Sequence, residues 1–340
     1  MLNLLLTSVG RRSYLVKYFR DALKGIGKVH VANSSDVTPA FQEADEGVVT
    51  PLIYDDGYIP FLLEYCKQHQ IGLLLSLFDI DLLILAQNKK KFQDIGVRVV
   101  VSDEAVIRIC NDKWATYHFL TENGFNAPQT FVSMDEVTRK LEANELRFPL
   151  ILKPRWGMGS IGIYEAENKQ ELFVLYEKIK RDIQKTYLKY ESAEDREQSV
   201  LVQEKLDAQE YGLDVINDLD GVYQTTIVKR KFAMRSGETD CAVTEDNEPI
   251  RQIGARLSQC LKHLGNLDVD VLVVNDRIYV LEMNARFGGG YPFSHIAGCN
   301  LPQAIVNWQC ARSADTLLNV EFGVKAHKDI SILRIANRKA

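Results

Sequence analysis

Three oxygen-bearing side chains stand near one another late in the chain: Asp270, Glu282 and Asn284, in DVDVLVVNDRIYVLEMNAR. Side chains alternate along a strand, so Glu282 and Asn284 share a face, and a turn at Asn275-Asp276 folds Asp270 back toward them. Magnesium takes oxygen ligands, keeps some water and commonly binds one or two carboxylates together with phosphate oxygens, so this set suits one or two Mg2+ ions held against a polyphosphate. The plainer alternative is a pair of solvated carboxylates on a sheet edge. Against it, Glu282 follows the apolar run at residues 278–281, where an unpaired charge is costly. Two positions beyond Asn284, Arg286 offers a planar fork for a carboxylate or a transferring phosphoryl group, or else makes a structural salt bridge.

A second group lies upstream. The loop RWGMGSIG carries Gly157, Gly159, Ser160 and Gly162, formally a GxGxxG. A dinucleotide fingerprint opens directly into a helix, whereas here the chain continues as the apolar strand IGIY, so the loop reads as a flap between two strands. Glycines let a flap lie close over a polyphosphate and offer backbone N–H donors, and Lys153 on the incoming strand adds a cation; an ordinary glycine-rich hairpin is the alternative. Further on, VLVQEKLDAQEYGLDV gives a buried strand whose polar exit, at Glu204, Lys205 and Leu206, can pair its backbone with an adenine. Glu204 and Glu210 can accept from the adenine amino group or from ribose hydroxyls. Lys229, Arg230, Lys231 and Arg235 form a local cationic cluster, useful for a phosphate or a substrate carboxylate and otherwise a solvated edge.

These residues need a frame. Residues 2–7 are an apolar run that meets Ser8-Val9-Gly10, after which Leu15, Phe19 and Leu23 share a helical face: strand, turn, helix. The alternation continues through 29–33, 59–69, 71–77 and 97–101, which predicts an open parallel α/β unit over residues 1–102. A second unit is expected over 103–199. It has helices at 103–110 and 112–123 closed by Gly124, a capping box at Ser133 and Glu136, a hairpin of 148–153 with 161–165 around the flap, and a long helix from Asn168 to about residue 190. The charged stretch ESAEDREQ then reads as a solvated connector. Strand-like segments at 200–204, 212–216, 222–229, 267–274 and 277–283, with one helix at 249–264, make residues 200–340 a largely antiparallel α+β unit.

Composition narrows the partners. The 340 residues are 46% hydrophobic and 26% charged with a net charge of -5 and no dense basic block, which argues for two or three packed domains and against a nucleic-acid partner. Six scattered cysteines show no CxxC pair and no zinc spacing, so they read as reduced thiols, mostly core fillers. No basic region precedes the first apolar run, and no segment approaches the roughly 18 apolar residues of a membrane span, so a cytoplasmic protein without a membrane partner is expected. There is no GxSxG, HExxH or Cys/His nucleophile context, so the expected chemistry needs no covalent side-chain intermediate.

Taken in order, these pieces resemble the ATP-grasp superfamily, most of all its branch similar to the carbamoyl-phosphate synthase large subunit and biotin carboxylase, over roughly residues 100–310. EMNAR resembles the family's metal-binding strand. The resemblance implies a pre-ATP-grasp open parallel α/β domain followed by a two-part ATP-grasp fold. It implies a phosphate-contacting lysine at Lys113, in NDKWATYHFL followed by GFNAP, a second at Lys153, a hinge at Glu204, Lys205 and Leu206, a ribose acid at Glu210, and metal ligands at Asp270, Glu282 and Asn284. The turn SVGRR resembles the one that faces the acceptor in the family, which makes Arg11 and Arg12 substrate ligands, and the cationic cluster adds Arg230 and Arg235. The implied cofactors are ATP and one or two Mg2+ ions, with Mn2+ as a substitute. The implied partners are a small-molecule carboxylate and an amine, with a homodimer as the family's habit. In the implied reaction the carboxylate attacks the γ-phosphorus, Arg286 and Lys153 stabilise the developing charge, and the amine captures the acyl phosphate. Only one ATP-grasp unit is evident, without the synthase's further domains or a biotin-carboxylase lid, so a carboxylate–amine ligase is the expectation. Carboxyphosphate chemistry from bicarbonate and a nucleotide-binding module without turnover are the alternatives.

Overall fold

Leu4, Leu5 and Leu6 are all fully buried, which requires cover on both faces of their strand and so a parallel sheet wrapped by helices. The computed structural model, which describes residues 2–157 and 161–334, has that arrangement. Its first unit runs β1 (Asn3–Thr7), α1 (Ser13–Ala22), β2 (Val29–Asn33), β3 (Glu46–Val49), α2 (Tyr58–Gln68), β4 (Ile71–Ser76), α3 (Leu82–Gln93) and β5 (Arg98–Val99). The five strands are parallel in the order β3-β2-β1-β4-β5. Strand order reverses between β1 and β4, and the crevice beyond their carboxyl ends is where such sheets bind ligands.

Two helices follow, α4 (Glu104–Asn111) and α5 (Lys113–Glu122), and Gly124 has the expected positive φ of 71°. Both belong with the large body. Val106, Ile107, Cys110 and Leu120 share a core with Leu5 and Leu74 of the parallel sheet and with Leu213 and Val269 further on. A small unit comes next, with β6 (Thr130–Phe131), α6 (Met134–Glu142), β7 (Leu150–Pro154), β8 (Tyr164–Ala166), α7 (Lys169–Ile183), α8 (Leu188–Glu191) and β9 (Val200–Glu204). The Ser133 hydroxyl accepts from Glu136 N, and Asn168 caps α7 by accepting from Gln170 N and Glu171 N.

Besides α4 and α5, which leave the unit expected over 103–199 for the large body, three expectations change here. The helix from Asn168 stops at Ile183, because the Thr186 hydroxyl donates to Ile183 O at 3.2 Å and accepts from Leu188 N at 3.3 Å, giving the backbone a local alternative to the helix ladder. The strand at 200–204 does not open the C-terminal sheet. It pairs antiparallel with β7 and β6 in the order β6-β9-β7-β8, so the expected boundary at 199/200 moves past Glu204. Val200 and Val202 join Leu150, Leu152, Tyr176 and Ile179 in a separate small core, which is what holds them there. Nor is ESAEDREQ a free connector: Glu191 accepts from Tyr54 Oη at 2.8 Å, Glu194 pairs with Arg108 at 3.2 Å and Asp195 with Arg155 at 3.3 Å.

The last unit is an antiparallel sheet in the order β14-β13-β10-β11-β12-β15. Its elements are β10 (Gln209–Asn217), β11 (Tyr223–Arg235), β12 (Glu238–Glu245), α9 (Glu248–Leu261), β13 (Asn266–Val274), β14 (Arg277–Asn284), α10 (Tyr291–Ile296), α11 (Leu301–Gln309) and β15 (Lys325–His327). Phe287, Tyr291, Leu301 and Ile305 pack with Leu4, Leu6 and Phe19, so the parallel sheet and this sheet are joined through shared cores. At about 1.5–3 kcal/mol for each large side chain buried, that shared core makes one body of the two sheets, over which the separately cored small unit lies. No described helix is long and apolar enough to cross a membrane, and the six cysteines are free, four of them buried.

Candidate active site

The β13–β14 hairpin turns at Asn275 and Asp276, with φ of 47° and 65°; two positive values fit the tight turn whose twist matches paired strands. The turn pairs Val274 with Arg277, and a register shift between Asp270 and Val271 then brings Asp270 directly across from Glu282 and Asp268 across from Asn284. All four, with Arg286, line a cavity of about 410 Å3 between this sheet and the small unit. The convergence expected of Asp270, Glu282 and Asn284 is therefore present on one wall.

Lys231, read from sequence as part of a cationic cluster for a phosphate or carboxylate, is instead held by two acids of the site. Its Nζ lies 2.6 Å from Asp270 Oδ1 and 2.6 Å from Glu210 Oε1. To reach Asp270 from β11 it must cross β10, and it does so over Gly212, where an added Cβ would lie 3.1 Å from Lys231 Cε. Burial by itself would discharge Lys231, but the carboxylates of Asp270 and Glu210 outweigh burial and raise its pKa. Burial likewise lifts Asp270 to about 6 against the pull of Lys231, with Asp268 and Glu210 adding to the rise.

Lys153 is buried on β7, donates from Nζ to Gln203 Oε1 at 2.9 Å, and is drawn down to about 8 by burial. Lys113 opens α5 and donates to Gly157 O at the base of the flap. Its position is fixed from below: Asp112 caps the helix by accepting from Trp114 N at 2.9 Å and holds Arg155 through both oxygens at 2.8 and 2.7 Å. Glu282 faces these cations; although burial opposes it, Lys113, Lys153 and Arg286 keep its carboxyl below the usual range. In the flap, Gly157 has φ 131° and Gly162 φ 71°, values that favour glycine, while Gly159 and Ser160 lie outside the described residues.

Glu204, Lys205, Leu206 and Glu210 all line the cavity. The Glu204 carboxylate is already engaged, accepting from Gln129 N at 2.8 Å, and Lys205 Nζ points away to Glu165 Oε1 at 2.6 Å. What these residues offer a base is backbone beyond the end of β9. Arg286 makes the structural salt bridges, with Nη2 2.8 Å from Asp79 Oδ2 and Nη1 3.0 Å from Asp268 Oδ2, and it lines the cavity.

Arg12 stands at the neck between this cavity and a second one of about 380 Å3 at the carboxyl ends of β1, β2 and β4. Its Nη1 donates to Leu77 O and Phe287 O at 2.5 Å each, and among the described residues no carboxylate pairs with it. Burial and the neighbouring Arg286 lower its pKa. Arg11 is exposed at the rim of the second cavity. The expectation for Arg230 and Arg235 is not met in the main cavity. Along β11 the side chains alternate, so Lys229 and Lys231 turn inward, where Lys229 pairs with buried Asp214. Arg230 turns outward to Glu245 at 2.6 Å, and Arg235 pairs with Asp240 at 2.7 Å beside a third cavity of about 620 Å3.

The donor set for a cation is all oxygen and faces the cavity, which is the chemistry of a Mg2+ completed by phosphate oxygens and water. It is not a closed cage: among the described residues no group of three Asp, Glu, His or Cys stands ready to hold a metal without phosphate oxygens or the Asn284 amide.

Residues 110–290 match the family described as ATP-grasp domain, and residues 4–100 match the one described as PylC-like, N-terminal domain. The carbamoyl phosphate synthase large chain of Pseudothermotoga lettingae is 23% identical over 273 residues, covering 77% of this chain and 23% of that protein. That of Corynebacterium glutamicum is 24% identical over 284 residues, covering 80% and 24%. The chain thus spans about a quarter of the length of these relatives. Among solved structures, biotin carboxylase from Campylobacter jejuni superposes with a TM-score of 0.70 at 15% identity over 94% of this chain and 73% of that one. The L-amino acid ligase from Bacillus licheniformis gives 0.69 at 18% over 93% and 77%, and N5-carboxyaminoimidazole synthetase from Staphylococcus aureus gives 0.68 at 15% over 94% and 80%. At such identities the likeness is one of fold.

Proposed function

The chain belongs to the ATP-grasp family, and from that premise we propose that it is an ATP-dependent ligase that activates a small-molecule carboxylate as an acyl phosphate and couples it to an amine. The observation that carries the reading is the shared wall at Arg12: a cavity with two lysines facing an all-oxygen wall shares Arg12, Phe78 and Glu238 with a second cavity at the ligand-binding end of a parallel sheet. Nucleotide and carboxylate can meet there without sharing a pocket.

In this reading the backbone at Glu204, Lys205 and Leu206 receives the adenine, and Glu210 lies toward the ribose. Lys113, Lys153 and the flap hold the phosphates. Asp270, Glu282 and Asn284 would hold Mg2+, which when bound neutralises phosphate charge. Arg12, a buried cation with no ion-pair partner among the described residues, orients the substrate carboxylate toward the γ-phosphorus, and Arg286 places positive charge beside the oxygens where charge develops. Positioning and electrostatics supply the acceleration, as in other phosphoryl transfers. The amine then displaces phosphate from the acyl phosphate, and the small unit, with its own core, is the part that closes to exclude water.

A second reading takes bicarbonate as the acid. It draws on a structural neighbour, the biotin carboxylase domain of Hydrogenobacter thermophilus 2-oxoglutarate carboxylase, described in complex with MgADP and bicarbonate. One experiment separates the two. ADP and phosphate release from Mg-ATP is followed across a panel of carboxylic acids and amines, with bicarbonate in a separate well and Mn2+ replacing Mg2+ in parallel. Stimulation by one organic acid and one amine supports the ligase; stimulation by bicarbonate alone supports the second reading; no stimulation by any acid counts against turnover.

A further inference from the structure

A two-residue turn, Ser236-Gly237, joins β11 to β12 with φ of 50° and 77°. Its twist matches that of paired strands, so the turn fixes the first residue of β12, Glu238, opposite Arg235. The stem of Glu238 then lies against Gly289, where an added Cβ would come within 3.0 Å of both its Cγ and its Cδ. Glycine at that place leaves room for the Glu238 side chain against the backbone, and the carboxylate stands where three cavities meet. Of the described residues lining the main, second and third cavities, Glu238 alone is common to all of them.

Most of the acids around the neck are committed. Asp79 and Asp268 hold Arg286, Asp270 and Glu210 hold Lys231, and Glu282 faces Lys113 and Lys153. Glu238 differs, because its one ion-pair partner among the described residues is Lys328, 3.2 Å away on the segment after β15. The carboxylate thus already binds a primary ammonium, supplied by a side chain that is 24% exposed. Across the neck stands Arg12, a buried cation that makes no ion pair among the described residues but feels the charge of Glu238. Burial works against the Glu238 carboxylate, but Lys328, Arg12 and Arg11 outweigh it and keep the group ionised.

We infer that Glu238 receives the ammonium group of the amine substrate, beside the carboxylate that Arg12 orients; this rests on the ligase reading above. Nucleotide takes the main cavity and the substrate carboxylate the second, which leaves the third for the nucleophile, and Glu238 lines all three. An anion at that junction selects a primary ammonium over a neutral nucleophile and sets its nitrogen next to the acyl phosphate. The ammonium gives up a proton to the Glu238 carboxylate or to water, the free amine attacks the acyl carbon, and the bond to phosphate breaks.

The test uses two kinds of nucleophile with Mg-ATP and the acid that stimulates ADP release. Hydroxylamine, uncharged near neutrality, traps an acyl phosphate as a hydroxamate. The twenty common L-amino acids, ethanolamine and putrescine supply ammonium groups. Glu238→Gln is expected to lower the amide-to-hydroxamate ratio at least about tenfold, through a higher KM for the amine, which is the loss of one charge-assisted contact. Hydroxamate formation reports that the variant is folded. Lys328→Met, which removes the competing ammonium, is expected to lower the amine KM. A ratio within about twofold of the parent in Glu238→Gln, or a KM raised in Lys328→Met as in Glu238→Gln, overturns the inference. Failure of the parent protein to form hydroxamate with any acid overturns the ligase reading instead.

Discussion

Asp270 sits directly across the β13–β14 ladder from Glu282, yet its Oδ1 accepts from Lys231 Nζ at 2.6 Å. An acid expected to hold a metal is thus neutralised from within, and Lys231 holds Glu210 at the same time. Removing one partner of a buried pair leaves the other charge uncompensated, at a cost of about 3–5 kcal/mol. Lys231→Met should therefore lower the melting temperature, and millimolar MgCl2 should restore part of the loss while leaving the parent less affected. Equal melting temperatures, or no response to Mg2+, would remove Asp270 from the cation site.

Glu282 and Lys153 predict different losses. Glu282→Ala should abolish Mg-dependent ATP turnover with the circular dichroism spectrum unchanged. Lys153→Ala should act mainly on nucleotide handling, raising the KM for ATP by about tenfold or more, as expected for one charge-assisted contact to phosphate. Arg230 faces away from the cavity toward Glu245, so Arg230→Ala should leave the nucleotide Kd within about twofold of the parent. A large loss in that variant would mean that β11 presents its other face to the ligand.

Gly254 lies on α9 where the helix crosses β11, and an added Cβ would stand 2.3 Å from Thr226 Oγ1. Gly254→Ala should destabilise the fold by about 1–3 kcal/mol through overpacking, measured by urea unfolding. Thr226→Ala in the same chain should recover most of that loss. An unaffected single variant would show that α9 can lift from the sheet at no cost.

His263 is fully buried, with Nε2 donating to Val215 O at 3.0 Å and Nδ1 left without a partner. Burial draws its pKa from the usual 6.5 down to about 4, so the folded protein holds the ring neutral where the unfolded chain would already be charged. A depressed histidine contributes its full stability above about pH 6.5 and loses it as pH falls toward 4, by up to about 3 kcal/mol for a shift of this size. Urea midpoints measured between pH 7.5 and 4.5 should fall over that window, and less steeply in His263→Gln. Parallel curves for the two proteins would assign the acid sensitivity elsewhere.

What could be read without the structure was what neighbouring residues settle among themselves. The Asn275-Asp276 turn folded Asp270 back toward Glu282, and period-two alternation put Asn284 on the face of Glu282; the register shift at Asp270 that sets it directly opposite Glu282 is not a local signal. The Ser133 and Asn168 caps, the Gly124 stop and the flap hairpin of β7 with β8 are likewise local. A run such as VLV, by contrast, is apolar on both faces and suits either sheet. Only the small core around Leu150 and Tyr176 assigned β9 to the small unit.

The side of β11 that faces the site was settled by partners far along the chain. Composition made Lys229, Arg230, Lys231 and Arg235 equivalent, and counting by two from Lys229 would have paired Lys231 with it, but nothing local said which pair turns inward. Gly212 and Asp270 decided that, through strands that meet only in the folded sheet. Arg286 is divided between Asp268 and an Asp79 that lies 207 positions away, and Glu238 belongs to the site because Gly289 leaves room beside it. Sequence by itself determined the short-range geometry, because turns, caps and alternation depend on a few adjacent dihedrals. Which charges meet was decided by the tertiary structure, because burial and Coulomb attraction act between residues that only packing brings within a few ångströms.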